Sequence, residues 1–151
     1  MSIGVPIAAL GLGMIQKDSS LKSKGIILVE AFCVNAFTTT ALKLAFNRDR
    51  PFVKYPYLDK QAEAGSYSFP SGHTSSAFAF ATSISLAFPK WYVVAPSYVY
   101  ACAAGYSRMH LGVHYPSDVL AGAIVGAGSA LLSNYLQQKF LQSPKKKALR
   151  L

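Results

Sequence analysis

Apolar residues in this chain are gathered into five long stretches, residues 3–15, 25–46, 73–88, 91–106 and 119–136, with most of the charge confined to the segments between them. Several approach the roughly 20 residues that cross the hydrocarbon core of a bilayer. Only the second carries a charge before its final turn. This distribution predicts an all-α fold: a helical bundle of about five helices, mostly membrane-spanning. The first stretch is short and holds Gly4, Pro6, Gly11 and Gly13, so it reads as part of a longer hairpin or as an interfacial segment. No basic residues precede it, which sets it apart from a signal peptide. With 151 residues, no linker and no repeat, residues 1–151 are expected to form a single domain in which 137–151 is a basic tail.

The charge is unevenly placed. If segments 16–24 and 89–90 and the C-terminal tail share one side of a bilayer, that side holds nine of the fifteen Lys and Arg residues. The opposite side holds six, but Lys43, Arg50 and Arg108 belong to the clusters described next, which leaves a balance of nine to three. By the positive-inside tendency, the face bearing those clusters points away from the cytoplasm. The expected setting is a bacterial-type inner (cell) membrane, crossed several times. A formal net charge of +9 would also suit a nucleic-acid binder, yet anchoring of helix ends accounts for its larger part, and nucleic acid is set aside as a partner. Aromatic residues agree with this threading. Trp91 and Tyr92 fall at one boundary and Tyr67, Phe69, Tyr106 and Tyr115 at the other, where amphipathic rings favour the headgroup layer.

Three polar clusters lie at the ends of the apolar stretches: Lys43 with Arg50-Pro51, then Pro70-Ser71-Gly72-His73, then Ser107-Arg108 with His114 and Asp118. In a chain with 14% charged residues, ionisable groups beside apolar helices point to function. Displacement at phosphorus spreads negative charge over three oxygens, so it calls for fixed cations, a nucleophile on one side and an acid for the departing oxygen. Arg50 and Arg108 can each present a planar fork of donors, with Lys43 as a point charge beside them. Ser71 and Gly72 open a helix, whose first N–H groups favour anions. A histidine in that first turn, His73, is disfavoured as a cation unless an anion sits next to it. His114 and Asp118 stand four residues apart, so the carboxylate can orient the ring and leave its other nitrogen free to attack. His73 remains as general acid for the leaving alkoxide and as base for water.

Other chemistries fit less well. His110, His114 and Asp118 recur every four residues, but Gly112 and Pro116 interrupt any continuous helix that would make them a metal face. Six acidic residues are too few for a clustered two-metal site, so no metal and no cofactor are expected, and His110 is read as structural or supporting. Cys33 and Cys102 fall within apolar stretches and imply no disulfide framework. Glu30 and Asn35 lie inside the second stretch, where a structural role is favoured over a catalytic one. Gly122 and Gly126 form a small-xxx-small face suited to packing within the bundle.

The ordered pattern from Lys43 through Arg50-Pro51, Pro70-Ser71-Gly72-His73 and Ser107-Arg108 to His114 and Asp118 resembles the type 2 phosphatidic acid phosphatase (PAP2) superfamily. The motifs match without a departure and span residues 43–118, about half the chain. The resemblance implies an all-helical fold and a metal-independent phosphatase. It also implies His114 as nucleophile supported by Asp118, His73 as general acid, and Lys43, Arg50, Ser71, Gly72 and Arg108 as phosphate binders. Integral membrane members commonly have three helices before the first motif, whereas two apolar stretches precede Lys43 here, so a shorter architecture or a longer precursor is expected. The membrane branch implies a lipid phosphate or diphosphate monoester as substrate and partner, with the membrane itself as the other partner. Soluble non-specific acid phosphatases and vanadium-dependent haloperoxidases share the motifs and stand as alternatives, and a non-enzymatic membrane scaffold is disfavoured by their completeness. The segment 52–69 is expected to roof the pocket; oligomeric state is left open.

Overall fold

The computed structural model describes residues 19–57 and 65–141. The expected first stretch at 3–15, Lys60 and Glu63 of the roofing segment, and the tail beyond Leu141 lie outside the described residues. Among those described, every regular element is helical: α1 (Ser19–Phe46), the single turn α2 (Pro51–Lys54), α3 (Gly72–Ala87), α4 (Trp91–His110) and α5 (Pro116–Leu141). All four apolar stretches that fall within the described residues are therefore helices. Each of the first and last runs past its stretch: α1 begins six residues before residue 25, and α5 continues to Leu141, beyond the point where the tail was expected to start.

Local chemistry sets the boundaries. Helix α1 stops where Asn47 takes a left-handed conformation, φ 44°, and returns its N–H to the Lys43 carbonyl at 3.1 Å. Asparagine tolerates that conformation better than most side chains. Pro51 opens α2 and Pro116 opens α5, both at the position where a missing N–H costs nothing. After α4 the chain reverses through Gly112 at φ 68°, a turn that a β-carbon would strain. This break separates His110 from His114, as the sequence suggests.

Helix α3 lies at the centre and packs against α1, α4 and α5, while α1 and α5 also pack on each other. The interior is made of small and polar side chains. Ala31, Ala77, Ala79, Ala81, Ala101 and Ala130 are buried, and the largest side chains wholly removed from the surface include Asn35, Thr74, Asp118, Ser68 and Ser75. Hydroxyls tie the helices: Thr39 Oγ1 meets Ser75 Oγ at 3.0 Å across α1 and α3, and Thr82 Oγ1 meets Tyr98 Oη at 3.0 Å across α3 and α4. The small-residue face of α5 packs as expected. A β-carbon on Gly122 would lie 2.6 Å from the Ser71 carbonyl oxygen, and one on Gly126 would lie 2.1 Å from that of Ser75.

The large apolar groups point outward instead. Phe37, Leu44, Val99, Leu120, Ile124 and Tyr135 are exposed, as is Trp91 at 80%. Two described segments are long and apolar enough to cross a membrane, Ser23–Lys54 and Pro116–Lys139. At 1.5 Å per residue the 16 residues of α3 rise about 24 Å, and its serines and threonines belong to the bundle interior rather than to a lipid-facing surface. Cys33 and Cys102 are free and exposed, and Glu30 is exposed on α1.

Candidate active site

The three clusters converge at one end of the bundle. Lys43 comes from the last turn of α1, Arg50 from the cap of α2, Ser71 from the cap of α3, and Gly72 and His73 from its first turn. Arg108 comes from the last turn of α4 and Asp118 from the first turn of α5, with His114 in the connection between them. Helix ends thus supply all but one of the groups, which fixes their main chain.

Arg50 is buried and holds the site together. Its Nε donates to the Ser66 carbonyl at 2.7 Å, and its Nη1 donates to the Val113 carbonyl at 2.9 Å while lying 3.3 Å from His114 Nε2. An arginine nitrogen can only donate, so this contact is a hydrogen bond in the tautomer that leaves Nε2 unprotonated and places the ring proton on Nδ1. That Nδ1 faces Asp118 Oδ2 at 3.6 Å, an electrostatic contact rather than a hydrogen bond. Burial holds the His114 imidazole below its ordinary value; Arg50 and Lys43 add to this and Asp118 opposes it. The ring is therefore neutral at neutral pH.

Lys43 donates to the Tyr67 carbonyl, and its stem runs past Gly72, where a β-carbon would sit 3.9 Å from Lys43 Cε. His73 is exposed and within electrostatic reach of Arg108, His114, Arg50 and Lys43, so the two imidazoles and three of the cations surround one space. Ser71 departs in part from expectation. Its N–H is spent on the Asp118 carbonyl at 2.9 Å, and its Oγ accepts from Thr74 Oγ1 at 2.9 Å, which leaves its own hydroxyl proton to donate elsewhere. The N–H groups of Gly72, His73 and Thr74 have no carbonyl one turn back within the helix. An anion placed here would meet guanidinium, ammonium and helix-terminal donors together.

Beside this space is an open cavity of about 610 Å³, lined by Lys43, Arg48 and Arg50 and by the apolar Leu44, Val53 and Tyr67. A charged rim against an apolar wall is the polarity of an amphiphile. His110 stays apart: it is exposed at the end of α4, with its ring stacked on Tyr106. Among the described residues no group of three His, Cys, Asp or Glu side chains could hold a metal ion.

Two residues that sequence reasoning passed over belong to the site. Arg48 Nη1 donates to Asp118 Oδ1 at 2.7 Å and to Ser117 Oγ at 2.8 Å, and its guanidinium lies 4.1 Å from the centre of the Tyr115 ring. Ser68, wholly buried, donates from Oγ to Asp118 Oδ2. The available signal was position alone, Arg48 within the Lys43–Arg50 spacer and Ser68 just ahead of Pro70.

The comparisons with known proteins accord with this geometry. The family model of the PAP2 superfamily matches residues 24–142. The chain belongs to that superfamily. Among curated PAP2 relatives, a lipid A 4'-phosphatase of Bacteroides thetaiotaomicron is 30% identical over 93 residues, covering 62% of this chain and 41% of that protein. An undecaprenyl-diphosphatase of Sulfolobus acidocaldarius is 34% identical over 111 residues, covering 72% of this chain and 53% of that protein. The chain thus spans about half the length of the curated relatives it matches. The crystal structure of the transmembrane PAP2-type phosphatidylglycerolphosphate phosphatase of Bacillus subtilis superposes with a TM-score of 0.73 at 25% identity, covering 91% of this chain and 69% of that one. The architecture is that of PAP2 membrane phosphatases.

Proposed function

We propose that this protein is a metal-independent phosphatase that hydrolyses a lipid phosphate or diphosphate monoester through a phosphohistidine. One observation supports this above all: His114 Nε2 lies 3.3 Å from Arg50 Nη1, a donor that it can meet only through its lone pair, next to the guanidinium that would hold the phosphate. In the first step the Nε2 lone pair forms an N–P bond as the ester P–O bond breaks. The departing alkoxide takes a proton from His73, and Arg50, Arg108, Lys43, Ser71 and the first N–H groups of α3 hold the equatorial oxygens. In the second step water attacks phosphorus, His73 accepts its proton, and the N–P bond breaks to release phosphate. Fixed cations supply the charge stabilisation that two metals give elsewhere.

The setting proposed is a multi-pass protein of a bacterial-type inner membrane with its site on the non-cytoplasmic face. The outward apolar surface, the names of the relatives and the charge balance of the connections support it. The experiment is a phosphate-release panel in detergent with EDTA, comparing phosphatidate, phosphatidylglycerophosphate, a polyprenyl diphosphate and lipid A with p-nitrophenyl phosphate. Preference for the lipids is expected. Equal or faster turnover of the soluble ester would favour an acid phosphatase, and a magnesium requirement would remove the metal-free mechanism.

Two results are expected of the site. Asp118 meets three donors, Arg48 Nη1, Ser68 Oγ and the Tyr115 N–H, so the amide of Asp118→Asn must turn a donor toward a donor. Turnover should fall by about 10³- to 10⁴-fold with KM little changed, as when a triad carboxylate becomes an amide. A change in KM alone would make Asp118 a binding residue. Because burial and the neighbouring cations favour the neutral His114 ring, it stays unprotonated to lower pH than a free imidazole. The acid limb of kcat/KM is therefore expected below about 6.5. A limb above that value would contradict the assignment of His114.

A further inference from the structure

The Asp118 carboxylate is held from outside its own motif. One oxygen takes the Arg48 guanidinium at 2.7 Å and the other takes the Ser68 hydroxyl beside the Tyr115 N–H, and the two side-chain donors are themselves joined, Ser68 N–H to the Arg48 carbonyl at 2.8 Å. Arg48 is further fixed by Ser117 Oγ, which accepts from the same Nη1, and by stacking on Tyr115, so its guanidinium is held against the turn that carries His114 and Asp118. The side chain of Asp118 is 0% exposed and that of Arg48 39%, which places the guanidinium between the solvent-facing cavity and the acid. Nothing in the motif pattern asks for either residue.

Resting on the phosphohistidine reading, we infer that Arg48 and Ser68 are positioning residues for the reaction: together they clamp both oxygens of Asp118 and thereby set the orientation and basicity of His114. An acid bonded on each oxygen cannot rotate, so Oδ2 keeps its aim at His114 Nδ1. The Arg48 charge also offsets the carboxylate, which then favours an imidazolium less strongly. The other charged or titratable groups acting on His114 are Arg50, Lys43 and His73, with Arg108 facing His73 across the same space.

The test uses the full chain in detergent and whichever lipid phosphate the unaltered protein turns over fastest, with thermal unfolding to confirm that each variant is folded. Arg48→Gln should lower kcat about 10- to 100-fold with KM within about twofold, the range for losing a partner that only orients a reactive group. Its acid limb should move up by about half a pH unit or more, since the unpaired carboxylate and the lost cation both favour the protonated ring. Arg48→Lys keeps the charge without the fork, so the limb should stay near its original position while kcat recovers in part. Ser68→Ala should cost less than Arg48→Gln, and the double variant less than the product of the two losses, because both act through one carboxylate. Wild-type kcat and an unmoved limb in Arg48→Gln would overturn the inference, as would a rise in KM alone, which would make Arg48 a substrate contact. If Arg48→Gln does not fold, Ser68→Ala and Arg48→Lys still read the first effect, a lower kcat with KM little changed, and wild-type kcat in both would overturn the inference. Failure of the unaltered chain to release phosphate from any ester sinks the phosphohistidine reading itself; a dead His114→Ala beside an unaffected Arg48→Gln sinks only the clamp.

Discussion

Alanine at His114 is expected to lower turnover by about 10⁴-fold or more, the loss seen when the attacking group of a covalent mechanism is removed. The ring fills a buried place between Arg50 and Asp118 and is 4% exposed, so nothing else can put a lone pair at that point. The same variant should fail to accumulate the base-stable, acid-labile phosphoenzyme that the unaltered chain is expected to give when turnover is quenched. The fold should survive, because Arg50 keeps its bonds to the Ser66 and Val113 carbonyls and Asp118 keeps Arg48, Ser68 and the Tyr115 N–H. Substantial activity in a folded His114→Ala protein would mean that another group attacks phosphorus. Retained phosphate affinity with no turnover is the pattern expected of the nucleophile.

The second large effect concerns the fold. Gly126→Ala places a methyl group 2.1 Å from the Ser75 carbonyl oxygen and 2.9 Å from the Ala79 amide nitrogen, both main-chain atoms of α3 that cannot swing aside. Helix α3 must move away from α5, at a cost of about 3 kcal/mol or more, beyond what most overpacked cores absorb. In a chain of this size that corresponds to a fall in Tm of roughly 10 °C, measurable by circular dichroism or by loss of the monodisperse peak in detergent. Gly128→Ala is the matched control: it is exposed, nothing lies within 4 Å of its β-carbon, and alanine is the better helix former. It should be neutral or slightly stabilising. If both variants melted alike, the contact between α3 and α5 would not be the one described. The shift should also depress activity beyond the fraction unfolded, because Ser75 donates to the Gly72 carbonyl at the end of α3 that carries His73.

Much of this arrangement is legible in the sequence because it depends on local chemistry. Runs of apolar residues become helices, Pro116 stands at a helix start, and Gly112 breaks the spacing that would otherwise line up His110 with His114. The eight motif residues also meet in space, since each sits at or beside a helix end and the bundle brings those ends together. What the sequence hides is long-range pairing. Arg48 and Asp118 are 70 residues apart, and Ser68 and Asp118 are 50 apart, so no local pattern links them. Nor could composition reveal that Arg50 and Lys43 spend donors on the carbonyls of Ser66, Val113 and Tyr67, because main-chain acceptors leave no mark on residue type. The hydroxyls of α3 are hidden in the same way, since their partners lie on neighbouring helices.

The arrangement of buried hydroxyls and small residues beneath an exposed coat of Phe, Leu, Ile and Trp reverses the pattern of a water-borne globule. Aqueous exclusion gives such a bundle little reason to close, since its helices meet through close main-chain approach and hydrogen-bonded hydroxyls rather than through oily bulk. On the proposed function, shape and catalysis would both depend on the amphiphile that surrounds the helices. A poorly chosen micelle would depress phosphate release by loosening the helices, long before any substrate failed to reach His114.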